Sequence, residues 1–191
     1  MKKIFSFCVI ILLSHTVQAQ RPTEGHNSSV EVALNLGENN GSTISAPLLR
    51  YRYFLSPNIA LRLELAVNNQ SEDEAGFEST FSSWLAAPAF EYHFSGNEKL
   101  DPYAFVGIGF GESSLEFSNT VGQPTKTESS IFFYSVGLGM DYYVFERVYL
   151  GTEFGFTAMT LTTPVDGQTK DDRSSQSGFD ATAGIRLGWR F

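Results

Sequence analysis

The sequence predicts an all-β protein, an eight-stranded antiparallel transmembrane up-and-down β-barrel. Eight segments alternate apolar and polar residues with a period of two, which places each set on one face of a strand. Each segment has about nine to fourteen residues, and a strand tilted near 45° needs about ten to cross an apolar band of about 25 Å. The connections alternate between short turns and long polar stretches, as in outer-membrane barrels.

The final segment, residues 179–191, has the clearest alternation. Its odd positions are all apolar, and its even positions are all polar or glycine. It ends in Trp189 and Phe191, which suits the aromatic girdle of a strand with one face on lipid and the other on a lumen. We therefore predict that Arg186 and Arg190 face inward while Trp189 and Phe191 contact the membrane.

Seven earlier segments repeat this pattern: residues 30–37, 46–55, 59–68, 81–94, 103–111, 130–143 and 148–159. Short turns at 56–58, 95–101 and 146–147 alternate with polar connections at 38–45, 69–80, 112–129 and 160–177. In outer-membrane barrels the short turns lie in the periplasm and the long loops lie outside the cell. Simple disorder of the long stretches is the alternative that their composition allows.

A soluble lipocalin-like barrel would show the same alternation with the opposite polarity, because its apolar residues would face the interior. Three features favour lipid on the outside. Aromatic residues cluster near the segment ends, charged residues share one face in mid-segment, and the sequence ends at Phe191.

The N-terminal residues 1–19 are predicted to be a cleaved secretory signal peptide. Lys2 and Lys3 precede the apolar run 4–13, and residues 17–19 approximate a small-residue cleavage site. The apolar run is well short of the roughly 20 residues that a spanning helix needs. Cys8 lies inside the run, so it is not a lipidation site, and the predicted mature chain has no cysteine. Residues 20–29 are expected to form a flexible lead, and residues 30–191 one barrel domain.

The net charge of −8 excludes the electrostatic footprint of a nucleic-acid-binding protein. No pair of histidines has metal-ligand spacing, so we expect neither a dedicated metal site nor a cofactor. The acidic run 72–74 is better explained as a solvated loop than as a divalent-cation site.

The predicted inward face carries charges of both signs in near balance. They are Glu31, Arg50, Arg52, Arg62, Glu64, Glu91, His93, Asp141, Glu153, Asp180, Arg186 and Arg190. Burying an isolated ion costs several kcal/mol of free energy, so we expect these charges to form pairs. The favoured interpretation is a structural salt-bridge network, and the alternative is a narrow polar conduit. Inward glycines at 107, 109, 137, 139, 151, 155, 184 and 188 are expected either to leave room for large neighbours such as Phe133, Tyr143 and Tyr149 or to accommodate curvature of the strands.

One sequence element raises the question of catalysis. His93-Phe94-Ser95 resembles the His-x-Ser element of outer-membrane lipid A deacylases, which are also eight-stranded barrels. A serine nucleophile needs a base and a carboxylate that orients the base. The acidic residue expected at that family's spacing is absent, and Gly107 occupies the region. We therefore predict that the protein is not an enzyme.

Three motifs resemble those of OmpA/OmpX-type outer-membrane β-barrel proteins. They are Asp101-Pro102-Tyr103 leading into the glycine-rich 107–111, the stretch 137–142, and the terminal 184–191. The resemblance implies an outer-membrane location in a Gram-negative envelope. It also implies that the barrel-assembly machinery is a partner that reads Trp189 and Phe191 as the C-terminal assembly signal.

The same resemblance leaves two functions open. One is a non-enzymatic barrel whose loops serve surface interaction, adhesion or envelope integrity. The other is a narrow pore or small-solute channel that uses the charged lumen. No peptidoglycan-binding domain follows the predicted barrel, so tethering through such a domain is not expected. The loops contain no motif that names an extracellular ligand.

Overall fold

The computed structural model describes residues 25–34, 48–74, 77–94, 97, 99–119, 125–164, 172–180 and 185–191. Nine strands lie in these ranges: β1 Ser28–Leu34, β2 Leu49–Ser56, β3 Ile59–Glu74, β4 Phe77–His93, β5 Leu100–Asn119, β6 Thr125–Tyr143, β7 Val148–Thr163, β8 Asp172–Asp180 and β9 Ile185–Arg190. The described ranges contain no helix that is long and apolar enough to cross a membrane.

The strands form one antiparallel sheet that closes on itself. Each of β1 to β7 pairs with the next strand in sequence, and β1 pairs back to β9. β9 pairs with residues 148–151 of β7, and β8 pairs with residues 155–163 of the same strand. Together β8 and β9 therefore occupy the eighth strand position of the barrel. Reciprocal backbone hydrogen bonds of 3.0 and 2.8 Å join Ser28 to Phe191 at the closure. The predicted eight-stranded antiparallel barrel is confirmed.

The strands are longer than the sequence predicts. The predicted connection 69–80 belongs largely to β3 and β4, and the predicted connection 112–129 belongs largely to β5 and β6. These loop predictions were wrong because hydrophobic alternation ends where the apolar surroundings end, whereas the hydrogen-bond ladder continues between polar strands. The connection 160–177 is likewise strand up to Thr163 and from Asp172, and β1 begins at Ser28, two residues before the predicted barrel start.

The last predicted segment, residues 179–191, is described in two parts. Residues up to Asp180 belong to β8 and residues from Ile185 belong to β9, while 181–184 lie outside the described residues. The predicted connection 38–45 also lies outside them.

The faces of the barrel have the polarity of a membrane protein. On the outward row of β6, Val136 is 52% exposed, and its neighbours in that row are similarly exposed apolar residues. On the inward face Arg52 is 0% exposed. At the C-terminus Trp189 is 53% exposed whereas Arg190 is 3% exposed. A soluble barrel needs the reverse arrangement, so that alternative is wrong.

The two ends of the barrel differ in their connections. The turn end carries the tight connections Pro57–Asn58 and Val144–Arg147, together with the first residue of β1 and the last residues of the chain. The loop end is the opposite end, to which β3 through β8 extend.

Candidate functional site

The candidate site is the charged interior of the barrel. The structure describes eleven of the twelve side chains that the sequence places inside: Glu31, Arg50, Arg52, Arg62, Glu64, Glu91, His93, Asp141, Glu153, Arg186 and Arg190. Nine of them are buried, while Glu64 and Glu153 are partly accessible. The side chain of Asp180 lies outside the described part of the chain. Seven strands contribute to this set because alternation points every second residue at the barrel axis.

Arg52 on β2 lies at the centre of the interior. Its guanidinium contacts Asp141 at 2.5 Å, Glu91 at 2.9 Å and Glu31 at 3.0 Å. It also donates a hydrogen bond of 2.8 Å to the hydroxyl of Tyr103. One cation therefore joins carboxylates from β1, β4 and β6, which links strands that are not neighbours in the sheet.

A second group of ion pairs is built around Glu153 on β7. Arg50 contacts it through two parallel hydrogen bonds of 2.7 and 2.9 Å, the bidentate geometry that suits a guanidinium and a carboxylate. Arg62 contacts Glu153 at 2.8 Å and Glu91 at 2.9 Å. Arg50 also pairs with Glu64. This group connects β2, β3, β4 and β7 across the lumen.

Tyrosine hydroxyls connect the ion pairs to one another. Tyr103 donates a 2.5 Å hydrogen bond to Glu153 and accepts one of 2.6 Å from Arg186. Arg186 in turn contacts Glu31 at 2.5 Å. The hydroxyl of Tyr149 lies 2.9 Å from Glu31, so this carboxylate is surrounded by donors. Several hydrogen-bonding or ionic partners for each buried charge offset the free-energy cost of removing that charge from water.

His93 is fully buried near the turn end. Its Nε2 lies 3.2 Å from Glu91 and its Nδ1 lies 3.1 Å from Asp101. The rings of Phe54 and Tyr103 cover it, each with a centroid separation of 5.1 Å. Both ring nitrogens therefore have carboxylate partners within the barrel. Ser95, the other member of the His-x-Ser element, lies outside the described residues.

Arg190 stands apart from the central pairs. Its guanidinium carbon lies 3.7 Å from the centroid of the Phe54 ring, a cation–π contact. It donates to the carbonyl oxygen of His26 at 2.9 Å and to the hydroxyl of Tyr143 at 3.3 Å. These contacts attach the residues before β1 to the last strand at the turn end.

The sequence analysis missed three members of the interior, Ser29, Asp101 and Tyr103. It placed Tyr149 inside but did not predict the hydrogen bonds of its hydroxyl. A signal for Asp101 and Tyr103 was present, because they continue the inward odd-numbered row of β5 toward the turn end. The predicted segment began at residue 103, so it excluded Asp101. The predicted set of inward residues included only charged side chains, so it left out the hydroxyl of Tyr103.

Inward glycines make room for large rings on the adjacent strand. Gly139 lies directly opposite Tyr103, and a Cβ at Gly139 would be 2.2 Å from that ring. Gly109 is related in the same way to Phe133, and Gly188 to Tyr149. The predicted role of these glycines is confirmed for Phe133 and Tyr149. Close approach of an aromatic ring to a strand is a setting in which glycine is required.

The interior chemistry is that of a cross-linked polar core. Every central arginine contacts at least two carboxylates, and the aromatic rings occupy the space over the glycines. Among the residues that the structure describes, no group of three or more histidine, cysteine or acidic side chains could hold a metal ion.

A closed antiparallel barrel with an apolar outer surface and a paired, charged interior defines the class of protein. A closed sheet satisfies every ladder hydrogen bond internally, which is the condition for crossing a bilayer with strands. The molecule is therefore an integral outer-membrane β-barrel protein.

The family follows from the sequence comparison. Residues 5–191 match the family model described as outer membrane protein beta-barrel domain, and the chain belongs to this family. The predicted resemblance and the outer-membrane location are thereby confirmed. No curated protein matches the chain at a significant level.

Solved structures with the same fold include Ail, the attachment invasion locus protein of Yersinia pestis. It has 16% identity and a TM-score of 0.51, over 87% of this chain and 99% of that chain. Ail in complex with the heparin analogue sucrose octasulfate has 16% identity and a TM-score of 0.52, over 86% and 97%. A major outer membrane protein from Thermus thermophilus has 13% identity and a TM-score of 0.55, over 86% and 98%. At these identities the similarity shows the fold alone.

Proposed function

We propose that the protein is a non-enzymatic outer-membrane barrel whose loop end serves as a surface for interaction at the outside of the cell. In this proposal residues 1–19 are the cleaved signal peptide, 20–29 the lead and 30–191 the barrel. The barrel-assembly machinery reads the terminal Trp189 and Phe191, which lie together on the lipid side with ring centroids 5.3 Å apart.

The observation that carries the proposal is the change of polarity along the outward rows. On β5 the outward residues are apolar from Ala104 to Phe110 and polar from Glu112 onward, while the strand continues to Asn119. These last eight residues extend the strand roughly 20 Å beyond the apolar band at a 45° tilt. The paired strands therefore project from the membrane as a rigid sheet, which suits a surface that contacts partners.

The charge of this projecting rim indicates the kind of partner. Its described and exposed charged side chains are Glu72, Asp73, Glu78, Glu112, Glu116, Glu128 and Asp172, against Lys126 and Arg173. Asp73 and Glu78 even lie directly opposite each other on β3 and β4. Ail was solved with a heparin analogue, a polyanion. An acidic rim repels polyanions, so we propose cationic surfaces as partners of this chain.

Attachment of intact cells tests this function. Cells that display the chain should be retained several-fold better on amine-coated glass than cells without it, and should show no gain on heparin-coated glass. The pair of changes Asp73→Asn and Glu78→Gln should reduce retention, because it removes two facing charges from the rim. Retention should fall as salt rises.

Two controls keep the experiment interpretable. Glu146→Gln changes an exposed charge at the turn end and should leave retention unchanged. Thr125→Cys should react with a membrane-impermeant maleimide on intact cells, whereas Arg147→Cys should not. Better retention on heparin than on amines, or labelling of Arg147→Cys alone, would show that the proposed surface or its orientation is wrong.

The paired interior favours this function over a pore. Arg50 and Arg62 both contact Glu153 across the lumen of a barrel whose interior is just wide enough for side chains. We expect the purified chain to show no discrete conductance steps in planar bilayers. Steps that disappear in the double variant Arg50→Ala and Arg62→Ala would assign the channel function instead.

The same interior supports a non-enzymatic role. His93, which carries the resemblance to a catalytic element, is enclosed by Glu91, Asp101 and two aromatic rings. A general base must reach the proton that it abstracts, and this imidazole is directed at its own structural partners.

A further inference from the structure

A groove crosses the outer wall of the barrel near the loop end. Its volume is about 410 Å³. It is lined mainly by outward side chains, among them Ser82 and Trp84 on β4, Glu112 and Ser114 on β5, and Lys126 and Glu128 on β6. The groove lies outside the charged interior and shares none of its residues.

The groove lies where the outer wall changes from apolar to polar. Val67 and Trp84 form its apolar part and are 58% and 42% exposed. On the next strand Phe110 lies just below the groove, and its ring packs edge-on against Trp84 with centroids 6.2 Å apart. Tryptophan is enriched at the level of lipid headgroups because its ring is apolar and its N–H is polar. The groove is therefore placed at the headgroup level of the leaflet nearer the loop end.

The polar groups of the groove contact one another. Trp84 donates its indole N–H to Glu112 at 3.3 Å, and the hydroxyls of Ser82 and Ser114 lie 2.8 Å apart. Lys126 pairs with Glu128 at 2.6 Å, and this hydrogen bond raises the pKa of Lys126. A mixed apolar and polar concavity with convergent polar groups is typical of a small-ligand site.

The composition of the groove selects the chemistry of the ligand. Two carboxylates and a single ammonium group line the groove, so its net charge is negative and a phosphate or sulfate group would be repelled. Serine hydroxyls and carboxylates suit a ligand rich in hydroxyl or amino donors, since carboxylates accept charge-assisted hydrogen bonds. The exposed indole face offers area for an apolar ring face. A sugar ring combines hydroxyl edges with an apolar C–H face.

We propose that this groove binds the neutral or amine-bearing sugar headgroup of a glycolipid in the surrounding leaflet. The lipid is favoured over a free saccharide because the groove continues downward into the apolar outward rows, where acyl chains lie beside Val67 and Phe110. The proposal goes beyond surface interaction at the rim. The groove shares Glu112, Lys126 and Glu128 with the rim, but it concerns a lipid ligand on the outer wall and not a cationic partner at the cell surface.

The intrinsic fluorescence of Trp84 reports on the groove. The chain has two tryptophans, so Trp189→Phe leaves Trp84 as the sole one. This full-length variant is placed in phosphatidylcholine nanodiscs that contain rising fractions of monoglucosyl diacylglycerol. A parallel series contains diacylglycerol with the same chains and no sugar. A third series contains phosphatidylcholine alone with glucose or glucosamine added to the buffer.

We expect the emission of Trp84 to change saturably with the glucosyl lipid and to stay constant with unglycosylated diacylglycerol. Glu112→Gln retains the shape of the side chain but removes its charge, so it should weaken the response by roughly fivefold to tenfold. Glu116→Gln alters the next outward carboxylate on β5, which does not line the groove, and should bind normally.

Other outcomes would overturn the proposal. A flat response in the glucosyl-lipid series would show that no sugar binds. Free sugar that saturates the response as readily as the lipid would assign a soluble saccharide instead. An equal response of Glu112→Gln and Glu116→Gln would place the binding elsewhere. Failure of cell attachment at the rim would leave each of these results unaffected, so the two proposals fail separately.

Discussion

Arg52→Met is expected to lower the free energy of unfolding by about 3–5 kcal/mol, which is the typical loss when one partner of a buried ion pair is removed. Arg52 is fully buried and contacts Glu31, Glu91 and Asp141. Methionine has no charge, so these carboxylates would lose their shared cation inside the barrel. Reversible urea unfolding in phospholipid vesicles, followed by tryptophan fluorescence, measures the change.

Two further variants test the reason for this loss. Lys126→Met removes a cation from an ion pair that is exposed at the loop end, so it should leave unfolding unchanged. Arg52→Lys retains the charge but not the planar fork, and it should lose less stability than Arg52→Met. If Arg52→Met unfolds at the same urea concentration as the unchanged chain, the interior pairs do not stabilise the barrel.

Val136→Arg should cost about 2–4 kcal/mol of stability in a bilayer, the range for arginine on the lipid face at the membrane midplane. Val136 lies on the outward row of β6, between Val106 on β5 and Phe156 on β7. The introduced guanidinium would lie among acyl chains with no partner nearby. The same urea unfolding experiment in vesicles detects the loss.

The matched control changes an outward residue above the apolar band. Ser71→Arg lies on the exposed part of β3 and should cost far less, because the penalty for arginine falls toward the interface. Equal costs for Val136→Arg and Ser71→Arg would mean that the outward row of β6 is not in contact with hydrocarbon.

The in-and-out arrangement of the strands could be predicted from the sequence because it depends on local geometry. In a strand each residue faces opposite to its neighbour, so knowing that Trp189 faces lipid requires that Arg190 face the lumen. The same rule placed Arg50, Arg52 and Arg62 inside, which is where the structure has them.

The length of the strands could not be predicted in the same way. β3 continues to Glu74 through polar and acidic residues only, and β5 continues to Asn119 through a polar stretch whose apolar residues, Leu115 and Phe117, lie on the inward row instead of the outward one. These residues are strand because each is hydrogen-bonded to a partner strand, which an analysis of one segment at a time cannot detect.

The sequence alone determined the class of fold and which residues share a face, because both follow from a period of two. The membrane as the surroundings followed from the aromatic residues near the segment ends and from the charged residues that share one face. Only the tertiary structure decided which charges meet. Arg52 and Asp141 are 89 positions apart, and Tyr103 joins Arg186 to Glu153 through one hydroxyl. The outer groove also exists only because Trp84, Glu112 and Glu128 come from three strands in register. Register and closure are properties of the whole barrel, so no single segment encodes these contacts.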